Sequence, residues 1–337
     1  MKILIIKPSS FGDIIQALPC ANALKLAYHA CEITWVVFSD WEPLLKMCTD
    51  VDKIILWDRK KGLKGFWETL RQVKSVEYDL IIDLQGLLRS AFLAKFASAK
   101  IKIGVPGMKE FSSFLIKEVY PKRAMMNATL RNLETVRFLT GKTFSPKINI
   151  KISDESQKIA KIILRTNGLL KDTCSIGLDE KNVFKQQCDK QEQISDFIAL
   201  LPFARGKGKD WGVLNYHKLV DLIEKKYSNM YVVVLGSVQD FGKIQSNKVI
   251  DLCGKTGIEE LASILLQSRV TIGADTGPMH LSAVLQRPSV FIFGSSNSNE
   301  TSPCIGNFSV VIDKNNPKNI NAIKPESVFV EITKWIK

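Results

Sequence analysis

The sequence predicts an α/β protein built from two facing Rossmann-like domains with a cleft between them, and three observations lead there. At 337 residues, the chain is longer than one typical core organises. Short, continuously apolar runs alternate with helical patterns, as in parallel strands covered on both faces by crossover helices. This alternation occurs in both halves of the chain, with no shorter internal repeat.

In the first half, "KILII", "EITWVVF", "DKIILW", "DLIID" and "KIKIGV" read as strands. Helices are expected between them at 14–28, 41–47, 66–76 and 87–97, followed by a longer one at 128–139 that ends at the turn cluster "GKTFSPK". Residues 170–193 are polar and weakly periodic, so an irregular insertion or a mobile segment is expected there. The second alternation runs "DFIALLPF", helix 214–225, "YVVVLG", helix 259–267, "RVTIGAD", helix 278–285 and "SVFIFG". A closing helix is expected near 325–336. The expected organisation is a domain at 1–150, a second at 151–325 and the terminal helix at 326–337.

Composition narrows the class. Apolar residues at 45% and charged residues at 24% belong to a soluble globular chain. No apolar run is long enough to suggest a membrane span, and "MKILIIKPSS" reads as a first strand, not a signal peptide. Seven scattered cysteines without a C-x-x-C pair argue against a disulfide framework or zinc site and for a reducing cytoplasm. Three histidines argue against a histidine-rich metal centre. A net charge of +13 attracts anions such as nucleic acid, phosphorylated sugars or an acidic membrane face, although lysine-rich solubility explains charge alone equally well.

Two strand–turn–helix corners carry the candidate chemistry, because open α/β sheets bind ligands beyond strand C-termini, at helix N-termini. The first, "KPSSFGDIIQ", has neither the G-x-G-x-x-G of a dinucleotide site nor a P-loop. It places a carboxylate, Asp13, at the mouth of a helix. The residues alone leave open whether Asp13 caps that helix or does chemistry. The second corner is "GADTGPMHLSAVLQRPSVFIFG". Thr276 is suited to cap its helix, Gly277 leaves N–H groups uncovered, and Pro278 fits the first turn. Such a helix start suits a diphosphate, and also suits an ordinary cap. His280, one turn in, reads equally well as a packed surface histidine. In "RGKGKDW", Arg205, Lys207 and Lys209 alternate with glycines after a strand; a solvated basic loop is the competing reading.

Taken together and in order, "MKILIIKPSSFGDIIQALP", "DLIIDLQGLLRS", "KGKDW" and "GADTGPMHLSAVLQRPSVFIFG" resemble the ADP-heptose:lipopolysaccharide heptosyltransferases of glycosyltransferase family 9. In detail they look more like heptosyltransferase I than II; the alternative is a family 9 transferase with a different acceptor (a second or later core heptose) or a different sugar. The resemblance implies a GT-B fold, with the acceptor on the N-terminal domain and ADP-heptose on the C-terminal one. It also implies inverting, metal-independent transfer without a cofactor. Asp13 would be the general base, and Lys209 with the Thr276–Gly277 amides would meet the charge on leaving ADP. Asp275 and His280 would line the sugar and phosphate side of the donor, Asp240 the adenosine ribose, and Ala204, Arg205 and Thr256 further donor contacts.

The implied acceptor is Kdo on phosphorylated lipid A, an anionic partner that suits basic candidates Arg59, Lys60, Lys61, Lys64, Arg89, Lys122, Arg123 and Arg131. Ser9, Ser10, Gly12 and Gln85 are further acceptor candidates. A monomer working at the inner face of the cytoplasmic membrane, without nucleic acid, follows from the same resemblance. The chain departs from the pattern where Ala204 and Arg205 replace a threonine pair, where Asn127 replaces a common histidine, and where Arg89 replaces lysine.

Other readings remain. "DVD" at 50–52 has a metal-binding form, but turn chemistry between a helix and a strand explains it. "FSSFLIKEVY" at 111–120 reads as a packed amphipathic helix, with a membrane-dipping segment as the alternative. A nucleotide-sugar 2-epimerase would need an acid/base cluster beyond Asp13. A basic nucleic-acid or membrane-surface binding protein would leave both strand-end corners unexplained, and no nucleic-acid motif accompanies the charge.

Overall fold

The computed structural model describes residues 1–119, 127–173, 176–178, 184–186, 191–206, 208–237, 241–242, 244 and 246–336. The first half runs β1 (Lys2–Ile6), α1 (Phe11–Ala17), α2 (Pro19–Ala27), β2 (Glu32–Phe38), α3 (Glu42–Lys46), β3 (Lys53–Trp57) and α4 (Gly62–Lys74). It continues with β4 (Glu77–Asp83), α5 (Leu88–Phe96), β5 (Ser98–Gly104), β6 (Lys117–Glu118) and α6 (Ala128–Thr140). Its six strands form one parallel sheet in the order β3-β2-β1-β4-β5-β6.

The second half opens with α7 (Asp154–Thr166). Two short antiparallel pairs follow: β7 (Leu170–Thr173) with β10 (Gln191–Ile194), and β8 (Ile176–Leu178) with β9 (Phe184–Gln186). The 170–193 segment thus carries strands where the sequence predicted irregular chain. Next come β11 (Phe197–Leu201), α8 (Val213–Lys226), β12 (Tyr231–Val234), β13 (Val249–Asp251), α9 (Ile258–Leu265) and β14 (Val270–Ala274). The chain ends with α10 (Gly277–Val284), β15 (Ser289–Ile292), α11 (Ser298–Thr301), β16 (Phe308–Val311) and α12 (Pro325–Thr333), which packs on α8, β15 and β16. The second sheet is parallel and repeats the order of the first: β13-β12-β11-β14-β15-β16.

The apolar runs are continuous because both faces of each sheet are covered. On β1, Ile3 and Ile5 enter one core cluster while Leu4 and Ile6 enter another; on β11, Ala199 and Leu201 are divided in the same way from Ile198 and Leu200. One cluster is continuous across both sheets, joined through Phe11 and Ile15 of α1 and Met279 and Leu281 of α10. The two domains therefore meet over a packed apolar floor.

Several elements differ from expectation. The helix predicted over 14–28 starts at Phe11 and is divided at Pro19, which has no N–H to continue the ladder. Helix α7 was not predicted, although Ser153 caps it by accepting from Ser156 N–H at 3.2 Å. The strands β6, β13 and β16 were not predicted; β6 and β13, at two and three residues, are too short to announce themselves by periodicity. The stretch from Phe111 is not an amphipathic α-helix: a single 3₁₀ turn at Ser112–Phe114 leads into β6, and Tyr120 lies outside the described residues. In "DVD", Asp50 accepts from Asn22 and Asn149, and Asp52 accepts from Ile33 N–H and Lys25, so both carboxylates hold the turn.

Candidate active site

In each sheet the strand order reverses direction beside its first strand, between β1 and β4 and between β11 and β14. At such switch points adjacent loops diverge and leave a crevice at the strands' C-terminal edge. Here the two crevices face each other and form a cavity of about 450 Å³ lined from both domains.

The N-terminal wall is the corner after β1. Ser10, Gly12 and Asp13 line the cavity, together with Phe11, Gln16 and Trp41. Asp13 Oδ2 accepts from Ser10 N–H at 3.1 Å and from Ser10 Oγ at 2.7 Å, closing a capping box at the start of α1. Oδ1 carries no hydrogen bond among the described residues, and the side chain is exposed to the cavity. The two readings of Asp13 are therefore compatible: one oxygen caps and fixes the rotamer while the other is open to a proton.

Beneath this corner lies a buried support. Asp83, at the end of β4, accepts from Gln85 N–H at 2.9 Å, Gly86 N–H at 3.0 Å and Ser90 Oγ at 2.8 Å. It shapes the loop from which Gln85 accepts Ser9 N–H at 3.4 Å. Burial pulls the pKa of nearby Lys7 below its usual value, against the opposing pull of Asp13 and Asp83. Burial likewise pushes Asp83 up to about 6, against the restraining hydrogen bonds and Lys7. Because this folded value lies above the ordinary one, the contribution of Asp83 to stability is fully present below about pH 4 and is lost as pH rises through 6. Asp83→Asn keeps the acceptor oxygen without the charge. We expect its stability relative to wild type, measured by urea unfolding, to rise by on the order of 2–3 kcal/mol between pH 4.5 and 7.5. An unchanged difference at the two pH values would refute this assignment.

The C-terminal wall comes from the loops after β11, β12 and β14. Arg205 and Lys209 reach the cavity from a loop in which Gly208 adopts φ +77°, a left-handed conformation suited to glycine. Asp275 is buried and fully engaged. Its Oδ2 accepts from Lys209 Nζ at 2.9 Å and Thr301 Oγ1 at 3.2 Å, and its Oδ1 pairs with His280 Nε2 at 3.0 Å. Burial opposes its ionisation, but His280 and Lys209 prevail and hold it well below the usual carboxylate range. His280 is thus a buried partner of Asp275, not a surface histidine.

Thr276 stands at the N-cap position of α10 but makes no side-chain cap bond, contrary to the sequence expectation. Its buried hydroxyl has no partner, and it lines the cavity. The first intrahelical bond is made by His280 N–H to Thr276 O, which leaves the Gly277 and Met279 amides ahead of it. A Cβ on Gly277 would lie 2.6 Å from the Phe11 ring, itself stacked on Trp41 at 5.3 Å. Glycine is therefore required for the two corners to approach each other. Further along the wall, Leu201, Phe203, Leu235, Ile258 and Leu261 form an apolar slot bordered by Ser237 and Thr256. Such a slot accepts a flat ring with polar edges.

Of the other predicted residues, Ala204 lines the cavity while Ser9, Gln85, Arg59, Lys60, Lys61, Lys64, Arg89 and Arg131 do not. Arg59 pairs with Asp40 at 2.9 Å and Lys61 with Glu68 at 2.9 Å. Arg131 is exposed on α6. Lys122, Arg123, Lys207 and Asp240 lie outside the described residues. Sequence reasoning missed Phe11, Gln16, Trp41, Phe203, Ser237 and Thr301. Gln16 was findable, one turn after Asp13 on the same helix; Thr301 was not. Gln16 Nε2 donates to Thr301 O at 2.8 Å, and Asn127 Nδ2 to Ser302 O at 2.9 Å, so both tie the domains together beside the cavity. Among the described residues no group of three or more His, Cys, Asp or Glu gathers as a metal site.

Comparison with known proteins decides the family. The profile of glycosyltransferase family 9 (heptosyltransferase) matches residues 66–328. The chain belongs to glycosyltransferase family 9. It is 25% identical to lipopolysaccharide heptosyltransferase 1 of Campylobacter coli, over 88% of this chain and 85% of the relative. Curated relatives between 20% and 26% identical include heptosyltransferases 2 and 3 as well. Among solved structures, a family 9 glycosyl transferase from Veillonella parvula superposes with TM-score 0.81 at 19% identity, covering 99% of this chain and 96% of that one. The E. coli heptosyltransferase WaaC with ADP superposes with TM-score 0.73 at 18% identity, covering 99% of each. The fold of this family 9 enzyme is GT-B, and the facing corners are its two switch points.

Proposed function

We propose that this family 9 enzyme transfers heptose from ADP-heptose onto the Kdo-bearing inner core of a lipopolysaccharide precursor, with inversion and without a metal. The observation that carries this reading is the placement of Asp13, with one free oxygen, across one cavity from Lys209 and the open N-terminus of α10. Relatives named as lipopolysaccharide heptosyltransferases and a neighbour solved with ADP support the substrate class.

The adenine occupies the apolar slot at Phe203 and Leu235. The diphosphate lies against the Gly277 amide and Thr276 hydroxyl, with Arg205 and Lys209 beside it; the positive end of the α10 dipole adds to their field. Asp13 Oδ1 takes the proton of the attacking acceptor hydroxyl. That oxygen forms its bond to the anomeric carbon from the face opposite ADP, the bond from that carbon to the diphosphate oxygen breaks, and its electron pair leaves with ADP. Asp275 is a positioning residue, holding Lys209 and His280 in place. Lys209 and the helix start supply the positive field that some transferases take from a divalent ion. The acceptor is lipid-linked, so the enzyme works at the cytoplasmic face of the inner membrane.

The direct test is ADP release from ADP-heptose with a Kdo₂-lipid A acceptor truncated before its first heptose. Acceptor-dependent release, and thermal stabilisation by ADP over UDP and GDP, are expected. No release, or stabilisation by all three nucleotides alike, would overturn the reading.

A further inference from the structure

We propose that the outer face of α4 and α5, together with the 111–114 tip, docks on an anionic phospholipid bilayer. The proposal rests on the lipid-linked acceptor for its purpose but on separate observations for its content.

Large apolar side chains are exposed along this face instead of buried. Leu63 is 79% and Trp67 58% exposed on α4, while Leu88 and Phe96 are exposed on α5. Phe111 and Phe114 are 80% and 84% exposed on the tip. On α4 and α5 the rings form one chain, in which Phe66 and Phe92 are half-buried. Trp67 touches Phe66, Phe66 touches Phe92 across the helix pair, and Phe92 touches Phe96, with ring centroids 5.6, 5.9 and 4.5 Å apart. Leu88, Phe92 and Phe96 follow at intervals of four on one side of α5. A soluble protein rarely exposes a connected apolar surface of this kind without a partner.

The tip is built to hold its rings outward. Ser112 is fully buried and donates to Gly86 O at 3.0 Å, and Glu110 accepts Leu88 N–H at 3.1 Å. Glu110 and Phe111 both adopt left-handed backbone, at φ +56° and +58°, a conformation unfavourable for non-glycine residues. This anchored turn projects Phe111 and Phe114, stacked 6.3 Å apart, into solvent. It follows β5, at the same C-terminal edge of the sheet as the cavity.

Charge selects the occupant. Residues 59–117, which build the face, carry twelve Lys and Arg against five Asp and Glu. Lys64 on α4, Arg89 and Lys95 on α5, and Lys109 and Lys117 before and after the tip in the chain are all exposed. A second copy would have to bring two such basic faces together. An anionic bilayer instead takes both components: rings enter the headgroup boundary while lysine stems lie along the surface with their charges at the phosphates. Among the described residues no helix is long and apolar enough to cross a membrane.

The test is co-sedimentation with vesicles of phosphatidylcholine, with and without about one-third phosphatidylglycerol. Wild type is expected to partition onto the anionic vesicles, and Phe111→Ser/Phe114→Ser to lower that partition at least about tenfold. Lys64→Glu/Lys109→Glu is expected to lower it and to flatten its salt dependence; unchanged partition by this variant would overturn the choice of an anionic surface. Both variants should keep the ADP-induced thermal shift, which shows that the fold is intact. Absent wild-type binding, or equal binding by the Phe variant, would overturn the proposal. So would a dimer in solution that the Phe substitutions dissociate without any vesicle binding, or a preference for short DNA over vesicles. Failure of acceptor-dependent ADP release with vesicle binding intact would instead count against the proposed reaction and leave the docking face standing.

Discussion

Asp13→Asn is expected to lower the turnover of acceptor-dependent ADP release by about 10²–10⁴-fold while leaving ADP binding unchanged. The amide keeps an oxygen that can accept from Ser10 N–H, so the capping box at the start of α1 survives. What the substitution removes is the basicity of the second oxygen. The variant separates the two roles of the residue: a structural cap alone predicts near-normal kcat with a small loss of Tm. Turnover close to wild type, with the ADP-induced thermal shift intact, would end the general-base assignment.

The second large effect is expected from Lys209→Ala. Lys209 Nζ donates to both Asp275 Oδ2 and Asp275 O, at 2.9 and 3.3 Å, and the residue remains part-exposed to the cavity. An ammonium has three N–H groups, so one remains for the diphosphate. Because charge grows on the diphosphate as its bond to the sugar breaks, the loss falls on the transition state as well as on binding. We expect kcat/KM for the donor to fall about 10²–10³-fold, with KM raised and kcat lowered. The ADP thermal shift should shrink, in contrast with Asp13→Asn. Asp275 keeps His280 and Thr301 as partners, so the site itself should persist. Unaltered donor kinetics in this variant would remove Lys209 from the mechanism.

The two corners also differ in how much of their chemistry is local. "SSFGD" and "DTGPMH" were legible because a strand, a glycine and a helix start are local signals, spelled out within ten residues. The cap-or-base ambiguity at Asp13 was not resolvable locally, because it turns on which carboxylate oxygen is engaged. At Thr276 local reading misassigned the hydroxyl: the residue type and position match a cap, but the side chain makes no bond to the helix. The basic candidates fared differently again. Arg59 and Lys61 were legible as cations, but their pairing with Asp40 and Glu68 depends on neighbours brought together by the fold. The error at 111–120 has a related cause. An amphipathic pattern reads as helix, but two consecutive left-handed residues, Glu110 and Phe111, set a tight turn there and leave its rings exposed.

The sequence by itself determined the two α/β halves, the succession of their major strands along the chain and the two glycine-bearing corners, because hydrophobic period and turn chemistry act over short stretches of chain. Only the tertiary structure decided what those corners become when they meet. Lys209 and Asp275 are 66 residues apart, Asp275 and Thr301 are 26 apart, and Gln16 and Thr301 are 285 apart. Their bonds, and the seat of Phe11 against Gly277, come from packing one switch point against another. Packing across such separations is a property of the assembled fold, where a carboxylate's partners depend on distance in space and leave no periodic trace along the chain.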